Sequence, residues 1–162
     1  MDVIKAIKTR KSIRSFKKKK ILLSEIKKIL ELASLSPSGS NTQPWNVHVL
    51  YGNSLKKFTE EMVNEFIKNG KNLKLERLNY MEKYRSPYLE RRRKVGWDLY
   101  SLLDIKKGDY KKTLEFHSQN YRFFNAPIGL IFSIEKDLGW MSWLDYGMFM
   151  QNISLLCRSF GM

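Results

Sequence analysis

The sequence predicts an α+β fold in which helices surround a small sheet. Apolar residues between Ile26 and Ala33 recur at i, i+3, i+4 and i+7, which is the spacing of one buried helix face. Residues 45–51 instead alternate in side-chain type, and residues 127–134 are apolar and β-branched, so both segments are predicted to be strands. The resulting order is helix, helix, loop, strand, helices, strand, helix.

The first two elements are predicted to be helices joined by a basic connector. Asp2 is a good N-cap for a helix that runs to about Arg10 and carries a short apolar stripe. The second helix is expected to begin near Ser24, after the lysine block at 17–20, and to stop before Pro37. The stripe of the first helix consists of Val3, Ile4 and Ile7.

The later helices are predicted from turns and caps. A turn at 52–53 leads to a third helix that is capped by Ser54. Charged and aromatic residues over 68–125 predict helices that cover or flank the core, and residues 143–160 are expected to form a largely buried helix. The helix breaks within 68–125 are expected near Gly70 and Pro87.

The length and composition favour a single domain over residues 1–162. A chain of this size with 43% hydrophobic and 13% aromatic residues has enough apolar surface for a packed core. The single cysteine, Cys157, is expected to be an inert core thiol; it excludes an internal disulfide framework and indicates a reducing cytoplasm. The start has no secretion signal, and 144–160 is too short and polar to span a bilayer, so no membrane partner is expected.

The net charge of +14 is the one unusual feature of the composition. Such a balance is found in proteins that bind nucleic acid or anionic membranes, and also where AT-rich codons favour lysine. Apart from the block at 17–20, the lysines are spread through predicted helices among Glu and Asn. No RNA-binding aromatic signature, zinc pattern or clear helix-turn-helix accompanies them. We therefore expect no nucleic-acid partner, and a basic nucleic-acid-binding module is the less favoured alternative.

The first candidate binding motif brings two guanidinium groups and a hydroxyl together near the start of the chain. Arg10 and Arg14 lie four residues apart, so they share a face if the helix continues. Guanidinium groups form bidentate hydrogen bonds with phosphate oxygens, and Ser12 between them can donate another. The alternative is a solvated basic helix end that interacts with the helix dipole.

The second candidate motif is a polar loop of small residues between the second helix and the first strand, at 37–45. Gly39 permits close approach of the backbone to a flat ligand, or a positive φ, and Asn41 offers both a donor and an acceptor. An ordinary helix-to-strand turn is the alternative, because these residue types also favour turns. The two motifs together suggest a phosphorylated aromatic cofactor. The candidate residues of the loop are Pro37, Ser38, Gly39 and Asn41.

Other conspicuous residues are expected to have structural roles. Gln43 is expected to brace the loop, and Trp45 to enter the core at the start of a strand. Asp145 is expected to be the N-terminal charge of the last helix. His48 and His117 have no neighbouring Cys or carboxylate at the spacing of metal ligands, so no metal site is predicted.

These motifs resemble those of the nitroreductase family of FMN-dependent oxidoreductases. Residues 7–16 are similar to the family's Arg-Arg-Ser-x-Arg-x-Phe start, with Lys11 in place of the second arginine. Residues 37–45 match its second signature in the expected place. Residues 124–127 resemble the Ala-Pro entry to its central strand, and residues 143–152 resemble the helix that follows. The similarity therefore covers nearly the whole chain.

The resemblance implies a fold, a cofactor and a partner. Residues 91–97 resemble a bacterial subgroup of nitrobenzoate- or nitroarene-reducing members. The family fold is a small central mixed sheet surrounded by helices, in a homodimer whose cofactor cleft is built from both subunits. FMN would be the cofactor, with its phosphate on the first motif and its ring at the second. NADH or NADPH would be the reductant, and a nitroaromatic or quinone the acceptor. The flavin N5 would carry the chemistry, with no catalytic residue from the protein.

The chain departs from the family at its C-terminal end. Family members continue with a Gly-rich loop, another strand and a segment that commonly reaches the partner subunit. Here Gly161 stands where a cap glycine normally leads into the next element. We therefore expect a C-terminally incomplete domain. An inactive remnant that keeps the fold without flavin is the alternative to an active oxidoreductase.

Overall fold

The computed structural model describes residues 1–70, 81 and 83–162. Within them the helices and strands follow one another in the predicted order, which confirms the α+β class. Short 3₁₀ turns lie at Gly39–Asn41 and Phe123–Asn125. The helices and strands are α1 (Val3–Thr9), α2 (Leu23–Ala33), β1 (Asn46–Tyr51), α3 (Gly52–Asn69), α4 (Tyr88–Leu102), α5 (Tyr110–Tyr121), β2 (Ile128–Ser133) and α6 (Trp140–Ser159).

The described residues form two compact units. The first unit contains 1–56 and 125–162, and the second contains 57–124. The first unit holds both strands, α1, α2 and α6. The single domain expected over 1–162 stays a prediction, because compactness does not show whether the two units unfold together.

The sheet of the first unit is an antiparallel pair. Asn46 lies opposite Ser133 and Tyr51 lies opposite Ile128, and in the part of the chain that the structure describes β1 and β2 are the two strands of this sheet. Across the strands, His48 Nε2 lies 3.2 Å from Ser133 Oγ. Two strands alone are marginally stable, so this pair depends on packing against a helix.

The core of the first unit lies between α2, α6 and one face of the sheet. The Trp45 ring stacks on Phe149 with centroids 4.8 Å apart and an interplanar angle of 6°, and Phe132 meets Phe149 edge-on. Such aromatic contacts add stability beyond their buried area. Trp45 therefore packs on the core at the start of the strand, as expected. The fully packed cluster consists of Ile29, Ala33, Tyr146, Phe149 and Ile153.

The first helix forms as predicted but buries a different face. The Asp2 carboxylate accepts the N–H of Lys5 at 2.9 Å, which confirms the N-cap. Ala6 is the residue that is buried, whereas the expected apolar stripe is more than half exposed. The apolar stripe that the sequence indicates is thus left exposed by this chain, because periodicity identifies an apolar face without showing what covers it. The exposed fractions are 62% for Val3, 61% for Ile4 and 57% for Ile7.

The second helix begins slightly earlier than predicted. Leu22, not Ser24, is the N-cap residue, and its N–H donates to the Glu25 carboxylate at 3.0 Å. Glu25, the third residue of the helix, thus accepts the backbone N–H of the N-cap residue, a donor that has no partner within the helix. Ile26, Ile29 and Ala33 are buried, as their spacing predicts.

The third helix also begins before its predicted cap. α3 begins at Gly52, whose φ is +53°, a conformation in which a Cβ is unfavourable. The Ser54 hydroxyl donates to the Tyr51 carbonyl at 2.7 Å and accepts the Tyr51 N–H at 3.2 Å. Ser54, in the first turn of the helix, therefore provides hydrogen-bonding partners for both backbone groups of the last residue of β1.

The second unit is helical and contains many aromatic contacts. Phe66 of α3 stacks on Tyr121 of α5 with centroids 4.6 Å apart, and Phe58 lies 6.1 Å from Phe123. The predicted breaks are confirmed, because α3 ends just before Gly70 and α4 begins just after Pro87.

The last helix has one buried face and one exposed face. α6 begins at Trp140, earlier than the predicted 143, and places Tyr146 and Phe149 in the core. Within the predicted range of 143–160 the exposed residues all lie between 143 and 151, and residues 152–160 are buried or half-buried, so the prediction of a largely buried helix holds for the C-terminal half of this range only. Its C-terminal cap is as expected, since Gly161 has φ +78°.

None of the helices in residues 1–70, 81 and 83–162 combines the length and the apolar character needed to cross a membrane.

Candidate functional site

Both candidate motifs are attached to α6 by hydrogen bonds from its side chains. The helix presents four polar side chains along its length, and each bonds a different segment of the N-terminal third of the chain. This arrangement holds the end of α1, the end of α2, the polar loop and the start of β1 on one scaffold. The bonds are Asp145 Oδ2 to Gly39 N at 3.0 Å, Tyr146 OH to Asn46 O at 2.8 Å, Asn152 Nδ2 to Ser36 Oγ at 2.7 Å and Arg158 Nε to Thr9 Oγ1 at 2.9 Å.

The first motif leaves the helix before its second arginine. α1 ends at Thr9, and Arg10 has extended backbone angles of φ −62° and ψ 132°. The helix does not continue past Arg10, so the condition under which Arg10 and Arg14 would share a helical face is not met. The sequence holds no Gly or Pro here that would signal the helix end. The segment that follows is irregular, and the Arg14 guanidinium reaches the Ser12 carbonyl at 3.4 Å.

The donors of this segment suit a phosphate. Arg10, Ser12 and Arg14 are exposed. Among the described residues neither guanidinium forms an ion pair with a carboxylate. Two guanidinium groups with available N–H donors are the chemistry that binds a phosphate monoester. The residues present therefore fit the phosphate end of FMN.

The second motif is a strained loop with its own hydrogen bonds. Ser40, Asn41 and Gln43 have positive φ values of 51°, 55° and 47°. The Gln43 N–H donates to Ser38 Oγ at 2.9 Å, and the Asn41 N–H donates to the Ser38 carbonyl at 2.9 Å. Three left-handed residues that are not glycine within four positions are costly, and such strain is concentrated at functional sites. Such a loop is compatible with a binding role, and the choice between that role and an ordinary helix-to-strand turn stays a prediction.

Gln43 braces the loop, as the sequence suggests. Its side-chain Nε2 donates to Asn41 Oδ1 at 3.1 Å. This bond fixes the Asn41 amide and occupies its oxygen on one side. The amide NH2 group of Asn41, which is exposed, remains the part that can meet a ligand.

Gly39 is not the residue of the loop that adopts a positive φ. The left-handed residues are its neighbours Ser40 and Asn41, and a Cβ built on Gly39 would lie 3.8 Å from Asp145 Oδ2, an ordinary contact distance. Of the two alternatives considered for Gly39, the positive φ is therefore not found, and close approach of its backbone to a ligand stays a prediction. Its structural role is its N–H, which donates to Asp145. Whether this loop meets a cofactor stays a prediction.

Asp145 is the site residue that sequence reasoning missed. It was expected at the helix N-terminus, but α6 begins at Trp140 and carries Asp145 more than one turn inside. The side chain is 7% exposed and shares the core face with Phe149. A signal was present, because Asp145 lies four residues before Phe149, on the same helix face. A carboxylate on a core face must find a hydrogen-bond donor.

Two titratable groups of α6 are held in their neutral forms. Burial raises the pKa of the Tyr146 hydroxyl. Only the neutral hydroxyl carries the proton that it donates to the Asn46 carbonyl. Burial likewise raises the pKa of the Cys157 thiol. A thiol that stays protonated is a weak nucleophile, which agrees with a structural role for Cys157.

The histidines have hydrogen-bonding partners of their own. His48 pairs with Ser133 across the sheet, and His117 Nε2 lies 3.2 Å from the Tyr100 hydroxyl. In the part of the chain that the structure describes, no three His, Cys, Asp or Glu side chains are grouped so as to hold a metal ion.

The two motifs lie at opposite ends of the scaffold helix. Asp145 holds the loop near the start of α6, and Arg158 holds Thr9 near its end. At about 1.5 Å of rise per residue, about 20 Å of helix axis separates these two anchors. The sequence alone does not show this separation, because it depends on how α1 and α2 pack on α6.

Comparison with known proteins places the chain among redox enzymes. The profile described as "Nitroreductase family" matches residues 7–162. The chain is 36% identical over 163 residues to 4-nitrobenzoate reductase of Pseudomonas putida. The aligned region covers 99% of this chain and 70% of that protein. It is 32% identical to chloronitrobenzene nitroreductase of Comamonas testosteroni, over 96% of this chain and 69% of that protein.

A solved structure confirms the predicted fold. The FMN and NADPH-dependent nitroreductase NfnB from Sphigopyxis sp. strain HMH superposes with a TM-score of 0.94 at 28% identity, over 99% of this chain and 72% of that chain. The chain thus spans about 70% of the length of the relatives it matches. The resemblance first seen in two short polar motifs is therefore borne out along the chain, which belongs to the nitroreductase family.

Proposed function

We propose that this chain is an FMN-dependent oxidoreductase that transfers hydride from NADH or NADPH, through the flavin, to nitroaromatics, quinones or related acceptors. Its family membership and its similarity to proteins named as reductases of 4-nitrobenzoate and chloronitrobenzene support the reaction class. The solved relative described as FMN and NADPH-dependent supports the cofactor and the reductant. The observation that carries the proposal is the pair of motifs anchored to α6, one suited to a phosphate and the other a strained polar loop.

The phosphate would be held by Arg10, Ser12 and Arg14. Each charged hydrogen bond contributes about 1.5–3 kcal/mol. Two such residues therefore supply a large part of the roughly 8 kcal/mol of a micromolar complex. The extended backbone at Arg10 does not prevent this, because the two guanidinium groups are exposed and their side chains are long.

The flavin ring would meet the polar loop. When FMN is bound, it accepts a hydride from the nicotinamide and passes electrons to the acceptor. The loop's task is to hold and orient the ring, with the exposed Asn41 NH2 group directed at a polar edge. Ser38 and Gly39 would fix the loop through their hydrogen bonds to Gln43 and Asp145. Pro37 begins the loop a few residues after α2 ends. No side chain is assigned a catalytic step.

The assembly proposed is a homodimer in the cytoplasm. About 20 Å of helix axis lies between Asp145 and Arg158, the α6 residues that anchor the two motifs, which favours a cleft that combines the phosphate site of one copy with the loop of another. Apolar side chains exposed on α1 and α6 support an association between copies. The single cysteine favours a reducing compartment. Nucleic acid and membrane surfaces are not partners in this proposal, and 1–162 is taken to fold as one domain.

Flavin binding tests the proposal directly. The purified chain, incubated with FMN and then freed of excess cofactor, is expected to show flavin absorbance between about 350 and 500 nm and to oxidise NADH or NADPH when 4-nitrobenzoate is added. A colourless chain that refuses FMN at saturating concentration contradicts the proposal and supports the inactive remnant. Affinity for DNA or RNA that falls steeply with salt would instead support the nucleic-acid-binding alternative.

Sedimentation tests the dimer separately. We expect a species of twice the 19.2 kDa chain mass that binds FMN. A monomer with full flavin occupancy would contradict the shared cleft while leaving the redox assignment intact.

A further inference from the structure

Asp145 is a buried charged side chain to which the proposed reaction gives no task. It lies on the core face of α6, 7% exposed, and its Oδ2 accepts the Gly39 N–H at 3.0 Å. We propose that Asp145 is a positioning residue that holds the loop at 37–43 in the conformation that presents Asn41 to the flavin ring. This inference rests on the proposed function, which assigns that loop to the ring.

The electrostatics of Asp145 favour such a bond over simple packing. A buried carboxylate is unfavourable unless donors satisfy it. Among the described residues Asp145 forms no ion pair, and its carboxylate accepts a hydrogen bond from the Gly39 N–H. Hydrogen bonds to an ionised acceptor are stronger than those between neutral groups. The carboxylate and the loop backbone therefore stabilise each other.

The loop needs an anchor because its backbone is strained. Ser40, Asn41 and Gln43 are left-handed without being glycine. The bonds to Ser38 fix the shape of the turn, but they lie within the loop and cannot fix where the turn stands on the fold. Asp145 supplies that link, since it joins Gly39 to a helix whose next residues are in the core. Such strained conformations persist only where the surroundings hold them.

The neighbouring residue of α6 offers a matched control. The Tyr146 hydroxyl donates to the Asn46 carbonyl at 2.8 Å, just beyond the loop, so Tyr146→Phe also removes one side-chain bond from the same helix. Asp145→Ala removes the acceptor from Gly39. Asp145→Asn keeps the shape and an acceptor oxygen but removes the charge. A role limited to the stability of α6 predicts similar effects for Asp145→Ala and Tyr146→Phe.

The experiment combines FMN titration with hydrogen exchange at backbone amides of the cofactor-free chain. For Asp145→Ala we expect the FMN Kd to rise by about tenfold to hundredfold and the bound-flavin absorbance to move toward that of free FMN. For Asp145→Asn we expect a rise of about threefold. Exchange of the Gly39 N–H should accelerate at least about tenfold in Asp145→Ala. Tyr146→Phe should leave the Kd and the Gly39 exchange near wild type.

Three results would overturn the inference. One is wild-type FMN affinity and Gly39 exchange in Asp145→Ala. Another is an equal loss of FMN affinity in Tyr146→Phe. If Asp145→Ala does not fold, the third is unchanged Gly39 exchange in Asp145→Leu, whose side chain has a similar size but offers the Gly39 N–H no acceptor. A wild-type chain that takes no FMN overturns the proposed function instead, and Gly39 exchange then decides by itself whether Asp145 anchors the loop.

Discussion

The two candidate binding segments differ in how firmly the fold holds them. The loop at 37–43 is tied to α6 by Asp145, fixed internally by Ser38, and left-handed at three positions. The segment from Arg10 to Arg14 is attached to α6 just before it begins, through Thr9, and then continues irregular and exposed. Preorganised groups bind with a smaller entropy cost than groups that must be ordered. The loop thus suits orientation of a ring, and the arginines suit charge attraction to a phosphate.

The largest effect is expected at the arginine segment. Arg10→Ala combined with Arg14→Ala should weaken FMN binding by about a hundredfold or more, because two charged hydrogen-bonding groups of about 1.5–3 kcal/mol each are lost. The measurement is a fluorescence titration with FMN at fixed ionic strength. Lys18→Ala combined with Lys19→Ala removes the same charge from the neighbouring connector and should change the Kd far less. Equal losses in both double variants would reduce the arginines to general electrostatic attraction.

The loop's internal bonds should matter next. Ser38→Ala removes the acceptor for the Gln43 N–H, and we expect FMN binding to weaken by about five- to tenfold, since a hydrogen bond of about 1 kcal/mol fixes the turn. Ser34→Ala is the control, because the Ser34 hydroxyl donates to the Glu31 carbonyl at the end of α2, outside the loop. Unchanged FMN affinity in Ser38→Ala would show that the loop's shape does not contribute.

Breaking the anchor of α1 should have a smaller effect on the cofactor. Arg158→Met removes the bond to Thr9 Oγ1 while keeping much of the side chain's length. We expect the free energy of unfolding, measured with urea, to fall by about 1 kcal/mol and the FMN Kd to change by less than about threefold. If FMN affinity falls as far as in Asp145→Ala, both segments depend equally on α6 and the contrast between them is wrong.

The smallest effect is a pH dependence of stability. Burial raises the pKa of Tyr146 above its ordinary value of 10.0, so the folded chain keeps a proton that the unfolded chain loses. Stability should therefore be full below about pH 10 and fall as the pH rises further. In Tyr146→Phe this component is absent, and the urea midpoint should fall less steeply between about pH 9 and 11. Parallel curves for the two proteins would contradict the assignment.

The fold was largely predictable because local patterns match it. The α2 spacing, the alternation of β1 and the Asp2 cap each correspond to what the structure contains. Burial was harder to predict, since Val3 and Leu144 are apolar yet exposed in this chain. A hydrophobic period reports which face avoids water, but the surface that covers it can belong to another molecule.

The candidate site was predictable in its residues and not in its geometry. The sequence motifs singled out the arginines and the polar loop and placed the end of α1 near Arg10, but they did not indicate the left-handed residues around Asn41. Both segments are anchored to α6 by bonds that join residues more than 100 positions apart, which no local pattern shows. Asp145 shows the same limit, because its partner Gly39 is set by packing rather than by any local pattern.

The position of α6 late in the chain has a consequence for synthesis. Its polar side chains bond residues that precede them by 100, 106, 116 and 149 positions. Contacts this distant in sequence form late, since closing so long a stretch of chain is entropically costly. Both candidate binding segments therefore emerge from the ribosome long before the residues of α6 that anchor them. Acquisition of the prosthetic group should accordingly follow translation of α6, and chains arrested before Asp145 should capture no flavin.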